Sequence, residues 1–253
     1  KYRIETIIHQ YSNFVNFTIF FQKEQINKIS ALWTKNKNEI TEEQYKDFYH
    51  FISKHQDEPK TKLHLKFDTP LQFSSILFVP GSNMEKMGFM KYEQGIHLYC
   101  KRVLIQGDNK NLLPPYLRFI YGVVDSEDLN LNVSRETIQN DPILQKIKSN
   151  LTKKVLDQFI KIAKNDEKEY IEIWKEFGRF FKEGIHMDFS HQKQLSELLR
   201  FHSSKSADEN EYISLTDYIS RLQLDQKEIY FLSAPDLKTA QSSPYVEFFQ
   251  KED

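Results

Sequence analysis

Alternation of apolar and polar residues predicts a sheet in the first half of the chain. Leu63 to Phe67 alternates, Ser75 to Val79 is a mostly apolar run, and Ile96 to Ile105 alternates with one change of phase. Period-two patterns and short apolar runs are typical of strands. We therefore predict three strands, the last with a bulge near Lys101 and Arg102, where the phase changes.

Two shorter patterns add elements around this sheet. Glu5 to Phe14 has apolar residues at helical spacing, and Val15 to Phe21 then alternates like a strand. The sequence Thr41-Glu-Glu-Gln44 is a capping box, in which the threonine side chain bonds the third helical N–H and the glutamine reaches back. A short helix is predicted after Thr41, and the alternation of Leu129 to Val133 predicts one more strand.

The second half of the chain is predominantly helical in pattern. Asp141-Pro142 is typical of a helix N-cap followed by proline in the first turn, and an apolar stripe follows it. A second striped helix follows Asn165-Asp166 and ends at Gly184. Beyond it, short helical stripes and a strand predicted over Ile229 to Leu232 indicate a second, smaller α/β unit.

Composition excludes several classes of protein. The 253 residues include 35 Lys+Arg and 36 Asp+Glu, and 39% are apolar, which suits a folded domain better than a disordered chain or a nucleic-acid binder dominated by basicity. No apolar run approaches the roughly 20 residues of a membrane helix. The single cysteine, Cys100, leaves no intrachain disulfide. Neither end has a start or leader pattern, so we expect a segment of a longer protein.

Most of the sequence motifs that could bind a nucleotide or a metal are only weakly indicated. The glycine-rich motifs of nucleotide-binding loops are absent. The pairs His50/His55 and His186/His191 are five residues apart, whereas two metal ligands on a helix are three or four apart, so no metal site is predicted. The acids Asp125, Glu127 and Asp128 suit Mg²⁺ and a metal-dependent hydrolase, but such a cluster more often forms a solvated turn.

Arg135 is the most informative residue, because it lies between a predicted strand and the N-cap of a helix. Loops held at both ends by rigid elements place functional side chains well. Its guanidinium suits a phosphate, with Asn132, Ser134 and Gln139 close in sequence. On these residues alone, pairing with a carboxylate such as Glu136 is the commoner role.

A long motif runs from Leu112 to Gln139 and ends in Leu-Asn-Val-Ser-Arg-Glu-Thr-Ile-Gln. This motif resembles the middle-domain signature of the heat-shock protein 90 chaperone family. The stretch Leu32-Trp-Thr-Lys-Asn-Lys-Asn-Glu-Ile40 resembles the family's early tryptophan motif, and Leu195 to His202 and Ser214 to Ile219 resemble its later helices. Two positions differ from the family pattern: Asn130 stands where the family usually has proline, and Thr137-Ile138 stands where it usually has Met-Leu.

The resemblance implies the middle segment of a dimeric, ATP-dependent chaperone. ATP and Mg²⁺ are then bound by a separate N-terminal domain, Arg135 reaches the γ-phosphate when the domains close, and Asn132 and Gln139 shape the catalytic loop. The implied fold is an α/β/α sandwich like the second domain of ribosomal protein S5 over residues 1–140. A helical connector over 141–184 and a smaller α/β/α sandwich over 185–253 follow.

The resemblance also implies partners. Client proteins are expected to contact exposed apolar residues, with Trp33, Met84, Met87 and Phe89 as candidates, since methionine-rich loops adapt to varied partners. The alternative is that Trp33 is a core anchor and that the segment containing Met84, Met87 and Phe89, here called the Met/Phe segment, covers the sheet of its own domain. The isolated segment is expected to be monomeric and without ATPase activity, with co-chaperones as further partners and no nucleic acid or membrane.

Two questions stay open at the level of sequence. The expected compartment is the cytoplasm, with a mitochondrial matrix or other organelle as the alternative. Besides the chaperone, two functions remain: a stand-alone protein-binding module with no role in ATP turnover, and the metal-dependent hydrolase centred on the acids from Asp125 to Asp128.

Overall fold

The computed structural model describes residues 2–27, 30–86, 88, 95–129, 141–206 and 208–251. The chain forms two compact units, Lys1–Gln158 and Phe159–Asp253. The boundary between them lies within one helix, α3, which covers Pro142–Asn165. The predicted division after residues 140 and 184 stays a prediction.

A mixed five-stranded sheet forms the first unit. Its strand order is β3-β4-β7-β5-β6, with β5 and β7 parallel and the other neighbours antiparallel. A separate pair, β1 and β2, lies earlier in the chain. The strands are β1 Phe20–Phe21, β2 Glu24–Gln25, β3 Thr61–Phe67, β4 Phe73–Val79, β5 Gly95–Cys100, β6 Val103–Gln106 and β7 Tyr121–Ser126.

The predicted strands β3, β4 and β5 are confirmed, but the predicted bulge at Lys101 and Arg102 is wrong. These two residues have φ of 50° and 67° and form a tight turn that separates β5 from an antiparallel β6. Two positive φ values suit the twist of a two-residue hairpin. The irregularity of register lies between Leu98 and Tyr99 instead.

The central strand β7 is not among the predicted strands. It pairs with β4 on one side and with β5 on the other. Gly122 lets it approach β4 closely: its φ is 152°, and a Cβ there would lie 2.1 Å from the carbonyl oxygen of Ile76. A side chain at this position is therefore excluded both by backbone conformation and by space.

Helix α2, Glu42–Ser53, covers one face of the sheet in the first unit. Thr41 caps it as predicted, because its Oγ accepts a hydrogen bond from the Gln44 N–H at 3.2 Å and Gln44 reciprocates. Helix α1, Tyr2–Tyr11, confirms the first predicted helix. Of the strand predicted over Val15 to Phe21, only the last two residues pair.

The two longest described helices confirm the predicted helical pair. Helix α3 begins after Asp141, whose carboxylate accepts from the N–H of Ile143 at 2.7 Å, and α4 spans Glu167–Met187. Phe159 and Phe181 pack edge to face with centroids 5.1 Å apart. In the part of the chain that the structure describes, no helix is both long enough and apolar enough to cross a bilayer.

The second unit continues with short helices, which are α5 Gln192–Leu198, α6 Leu215–Ser220, α7 Leu237–Gln241 and α8 Pro244–Lys251. Phe201 and Ile213 form a single antiparallel bridge. The strand predicted over Ile229 to Leu232 is wrong in this structure. These side chains are exposed, with Phe231 90% accessible, and the segment has no strand pairing among the described residues.

Candidate functional site

A buried polar contact joins the early tryptophan motif to the central strand. The indole Nε1–H of Trp33 donates to the carboxylate of Asp125 on β7 at 2.8 Å. Trp33 is 0% exposed, and its ring lies 4.7 Å from Phe14 and 5.0 Å from Tyr99, centroid to centroid. The contact therefore links residues 92 positions apart inside the core.

The same carboxylate stabilises the turn between β5 and β6. Both Asp125 oxygens accept from the backbone N–H of Arg102, at 3.1 and 3.3 Å. Burial raises the pKa of Asp125, and the hydrogen bonds from Trp33 and Arg102 act in the opposite direction. A left-handed residue other than glycine costs about 1 kcal/mol, which this bond helps to offset.

His64 on β3 makes two further polar contacts, one of which is with the backbone of Trp33. Its Nδ1 lies 2.7 Å from the hydroxyl of Tyr45, and its Nε2 lies 3.4 Å from the carbonyl oxygen of Trp33. Because a carbonyl only accepts, Nε2 carries the proton and Nδ1 accepts from Tyr45. Burial lowers the pKa of His64.

The stability of the first unit is expected to fall as the pH falls below about 6.5, the ordinary pKa of histidine. Because the folded pKa of His64 is lowered, the unfolded chain takes up the proton first. The lost stability accumulates down to the folded pKa and then levels off. Denaturant unfolding from pH 7.5 to 5 measures this.

Replacing His64 by glutamine provides the control for this pH dependence. The pKa of His97 is lowered as well, again mainly by burial, so it contributes in the same range of pH. The difference between wild type and His64→Gln isolates the part due to His64. Equal slopes for the two proteins would contradict the assignment.

The predicted catalytic residues Asn132, Arg135 and Gln139 lie outside the described residues. What the structure places is the two flanks of their segment. Before it, the carbonyl of Leu129 accepts from the Cys100 thiol at 3.3 Å. After it, Asp141 caps α3. Both flanks are attached to regular secondary structure.

The structure places the candidate client-binding residues in different environments or does not describe them. Trp33 is a core residue, so the prediction that it is exposed is wrong; the Asp125 partner and the surrounding aromatic rings explain its burial. Met84 is half-buried in a turn that the Asn83 side chain stabilises by accepting from two backbone N–H groups. Met87 and Phe89 lie outside the described residues.

The possible metal ligands have other partners. Asp125 bonds Trp33 and Arg102, and Asp128 accepts from the backbone N–H of Gln72 at 2.8 Å. His50 lies 3.0 Å from the carbonyl oxygen of Asp57, and His191 lies 2.8 Å from the Asp188 carboxylate. Among the described residues, no three His, Cys, Asp or Glu side chains are grouped to hold a metal.

Sequence reasoning missed an ion pair next to the Met/Phe segment. The Arg118 guanidinium binds both carboxylate oxygens of Glu85, at 3.0 and 3.2 Å, and both side chains are largely buried. Two parallel N–H···O bonds fix orientation as well as distance. Thirty-three residues separate the partners, so only the apolar setting of Arg118 between Leu117 and Phe119 signalled a buried role.

Comparison with known proteins identifies the family. The model of the family described as Hsp90 protein matches residues 20–253. The chain belongs to the Hsp90 family. The resemblance based on the Leu112 to Gln139 motif is thereby confirmed, and the match extends over most of both units.

Individual relatives agree with this assignment. The chain is 46% identical to chaperone protein HtpG of Desulfitobacterium hafniense (strain Y51), covering 99% of this chain and 41% of the relative. It is 46% identical to the mitochondrial TNF receptor-associated protein 1 homolog of Dictyostelium discoideum, covering 99% and 35% respectively. The chain thus matches well under half the length of these Hsp90 relatives.

Proposed function

We propose that this chain is the middle segment of an ATP-dependent chaperone and supplies Arg135 to the γ-phosphate of ATP. The observation that supports this is the family match over residues 20–253, which includes the Ser134-Arg135-Glu136 motif. The bacterial relatives carry the name chaperone protein HtpG. ATP and Mg²⁺ are then held by a separate N-terminal domain of the same protein.

The chemistry assigned to Arg135 is electrostatic. A planar guanidinium donates two parallel hydrogen bonds to phosphate oxygens and keeps its charge at any physiological pH. Stabilising the charge of the transferred phosphoryl group in the transition state accelerates hydrolysis without tighter ATP binding. Asn132 and Gln139 are proposed to shape the catalytic loop that carries this arginine. Because the two domains must meet, hydrolysis is coupled to a conformational cycle.

The remaining assignments follow the same family analogy. We propose client proteins as the partners of the Met84, Met87 and Phe89 segment, a homodimer formed by the full-length protein, and co-chaperones as regulators. The sheet of the first unit is proposed to belong to an α/β/α sandwich like domain 2 of ribosomal protein S5. The proposed compartment is the cytoplasm or, by analogy with the relative named as mitochondrial, an organelle matrix.

Residues 1–253 alone are expected to neither bind nor hydrolyse ATP, whereas the full-length protein does both. The reason is that the sequence lacks the glycine-rich loops that cradle phosphates. Calorimetric ATP titration and a phosphate-release assay on both proteins test this. Turnover by residues 1–253 alone would contradict the split site, and a full-length protein without turnover would favour a protein-binding module.

A further inference from the structure

His64 joins three elements of the first unit through its two ring nitrogens. It lies on β3, an edge strand of the described sheet, opposite the apolar Ile76 of β4. Its Nδ1 accepts from the Tyr45 hydroxyl of α2 at 2.7 Å. Its Nε2 donates at 3.4 Å to the carbonyl of Trp33, which lies in the 3₁₀ helix Leu32–Thr34. One neutral imidazole, 7% exposed, therefore connects a helix, the edge strand and the tryptophan motif.

Protonation of His64 removes the acceptor on which the Tyr45 contact depends. A charged histidine donates from both ring nitrogens. The Tyr45 hydroxyl can reverse and accept, but its own proton then has no partner, since Tyr45 makes no other hydrogen bond in the part of the chain that the structure describes. Tyr45 is 4% exposed, so water does not replace the lost acceptor. A buried donor without an acceptor destabilises this closed arrangement.

The charges around His64 also oppose a second positive charge. Lys62 lies two positions earlier on β3, and its Nζ is 4.7 Å from the centre of the Tyr45 ring. The carboxylate of Glu42 on α2 is already paired with Lys62. Burial, the largest effect, and Lys37 both lower the pKa of His64. Among the described residues, no carboxylate pairs with His64.

We propose that His64 is an acid-sensitive switch of the first unit. Protonation opens the contacts of α2 and of the tryptophan motif with β3, while the other strands stay paired. An open state in which the imidazole meets water takes up the proton more readily than the closed state, so acid shifts the balance toward it. The side chains of α2 that cover the sheet, such as Tyr45 and Phe48, then become accessible. Apolar surface exposed in this way binds partners in acid only.

Hydrogen exchange of the full-length protein, followed by mass spectrometry at about pH 7.5 and about pH 5.5, tests the switch. Intrinsic exchange depends on pH, so wild type is compared with each variant at the same pH. At the lower pH, the amides of α2 and β3 should exchange roughly tenfold faster in wild type than in His64→Gln, whose amide offers one acceptor and one donor without titrating. At the higher pH the two proteins should agree. His97→Gln, a matched change on β5, should behave like wild type.

Each other outcome contradicts the switch. Equal exchange of α2 and β3 in wild type and His64→Gln at the lower pH rejects it, and loss of the effect in His97→Gln assigns it to the other histidine. Acceleration that includes β5 and β6 to the same extent indicates lower global stability and rejects a local opening. Wild type alone supplies this comparison between strands, even if His64→Gln does not fold. Binding of a hydrophobic dye should rise over the same pH range, and a constant signal rejects the exposure of α2.

Discussion

Replacing Trp33 by alanine is expected to lower the free energy of unfolding of the first unit by about 4 kcal/mol. The indole is fully buried among aromatic side chains, and its removal leaves a large cavity. The substitution also takes away the N–H donor of Asp125, whose carboxylate stays buried. Denaturant unfolding followed by circular dichroism measures the change without depending on tryptophan fluorescence.

One further variant separates the aromatic ring of Trp33 from its hydrogen bond, and a second variant is a control for the loss of an exposed aromatic side chain. Trp33→Phe keeps an aromatic ring but loses the hydrogen bond to the carboxylate, and should cost about 2 kcal/mol. Phe189 is 77% exposed, so Phe189→Ala should change stability by less than about 0.5 kcal/mol. A loss below about 1 kcal/mol for Trp33→Ala would contradict the buried position and return Trp33 to the exposed client-binding candidates.

Patterns within a few residues of sequence correctly predicted several strands and helix starts. Period-two alternation found β3 and β5, and the capping box at Thr41 found the start of α2, because these signals lie within a few residues of the elements. Strand β7 was missed, since Val-Val-Asp was interpreted as the start of a solvated turn. Asp125 is tolerated in a central strand because two donors satisfy its carboxylate, namely Trp33, far away in sequence, and the backbone N–H of Arg102.

The stretch from Ile229 to Leu232 was predicted to be a strand but does not form one, which is the opposite of the error made for β7. Its residues favour a strand, but a strand exists only when another strand supplies hydrogen-bond partners. In the described residues the N–H of Tyr230 bonds the Tyr218 hydroxyl at 3.2 Å, and the ring of Tyr230 lies 4.9 Å from that of Phe249. Side-chain contacts therefore take the place of a ladder.

The candidate site was predictable mainly through resemblance. Residue types and spacing singled out Arg135 but favoured a carboxylate partner, and only the long family motif assigned it to a phosphate. The contact before its segment, between the Leu129 carbonyl and the Cys100 thiol, joins positions 29 residues apart, so no local pattern indicates it. It became visible only once the strands were paired.

Arg135→Ala in the full-length protein is expected to lower ATP turnover by about 10³, equivalent to about 4 kcal/mol of transition-state stabilisation. Affinity for ATP should change less than twofold, because the proposed nucleotide pocket lies in another domain. This asymmetry follows from the proposal that Arg135 contacts the phosphate only when the domains close. Steady-state phosphate release and equilibrium ATP binding measure the two quantities separately.

Two matched variants control for charge and for folding. Arg135→Lys keeps the charge but not the two parallel donors, and should fall between wild type and Arg135→Ala. Arg179 is an exposed arginine on α4 that pairs with Glu183 at 3.2 Å, so Arg179→Ala should turn over ATP like wild type. All variants should unfold at the same denaturant concentration as wild type.

The most direct test of the central proposal is the paired measurement of kcat and ATP dissociation constant for wild type and Arg135→Ala, under identical conditions. The split-site chaperone predicts that kcat collapses while the dissociation constant is preserved. Unchanged kcat would contradict it, making Arg135 a structural residue and leaving the chain as a surface for clients or other partners.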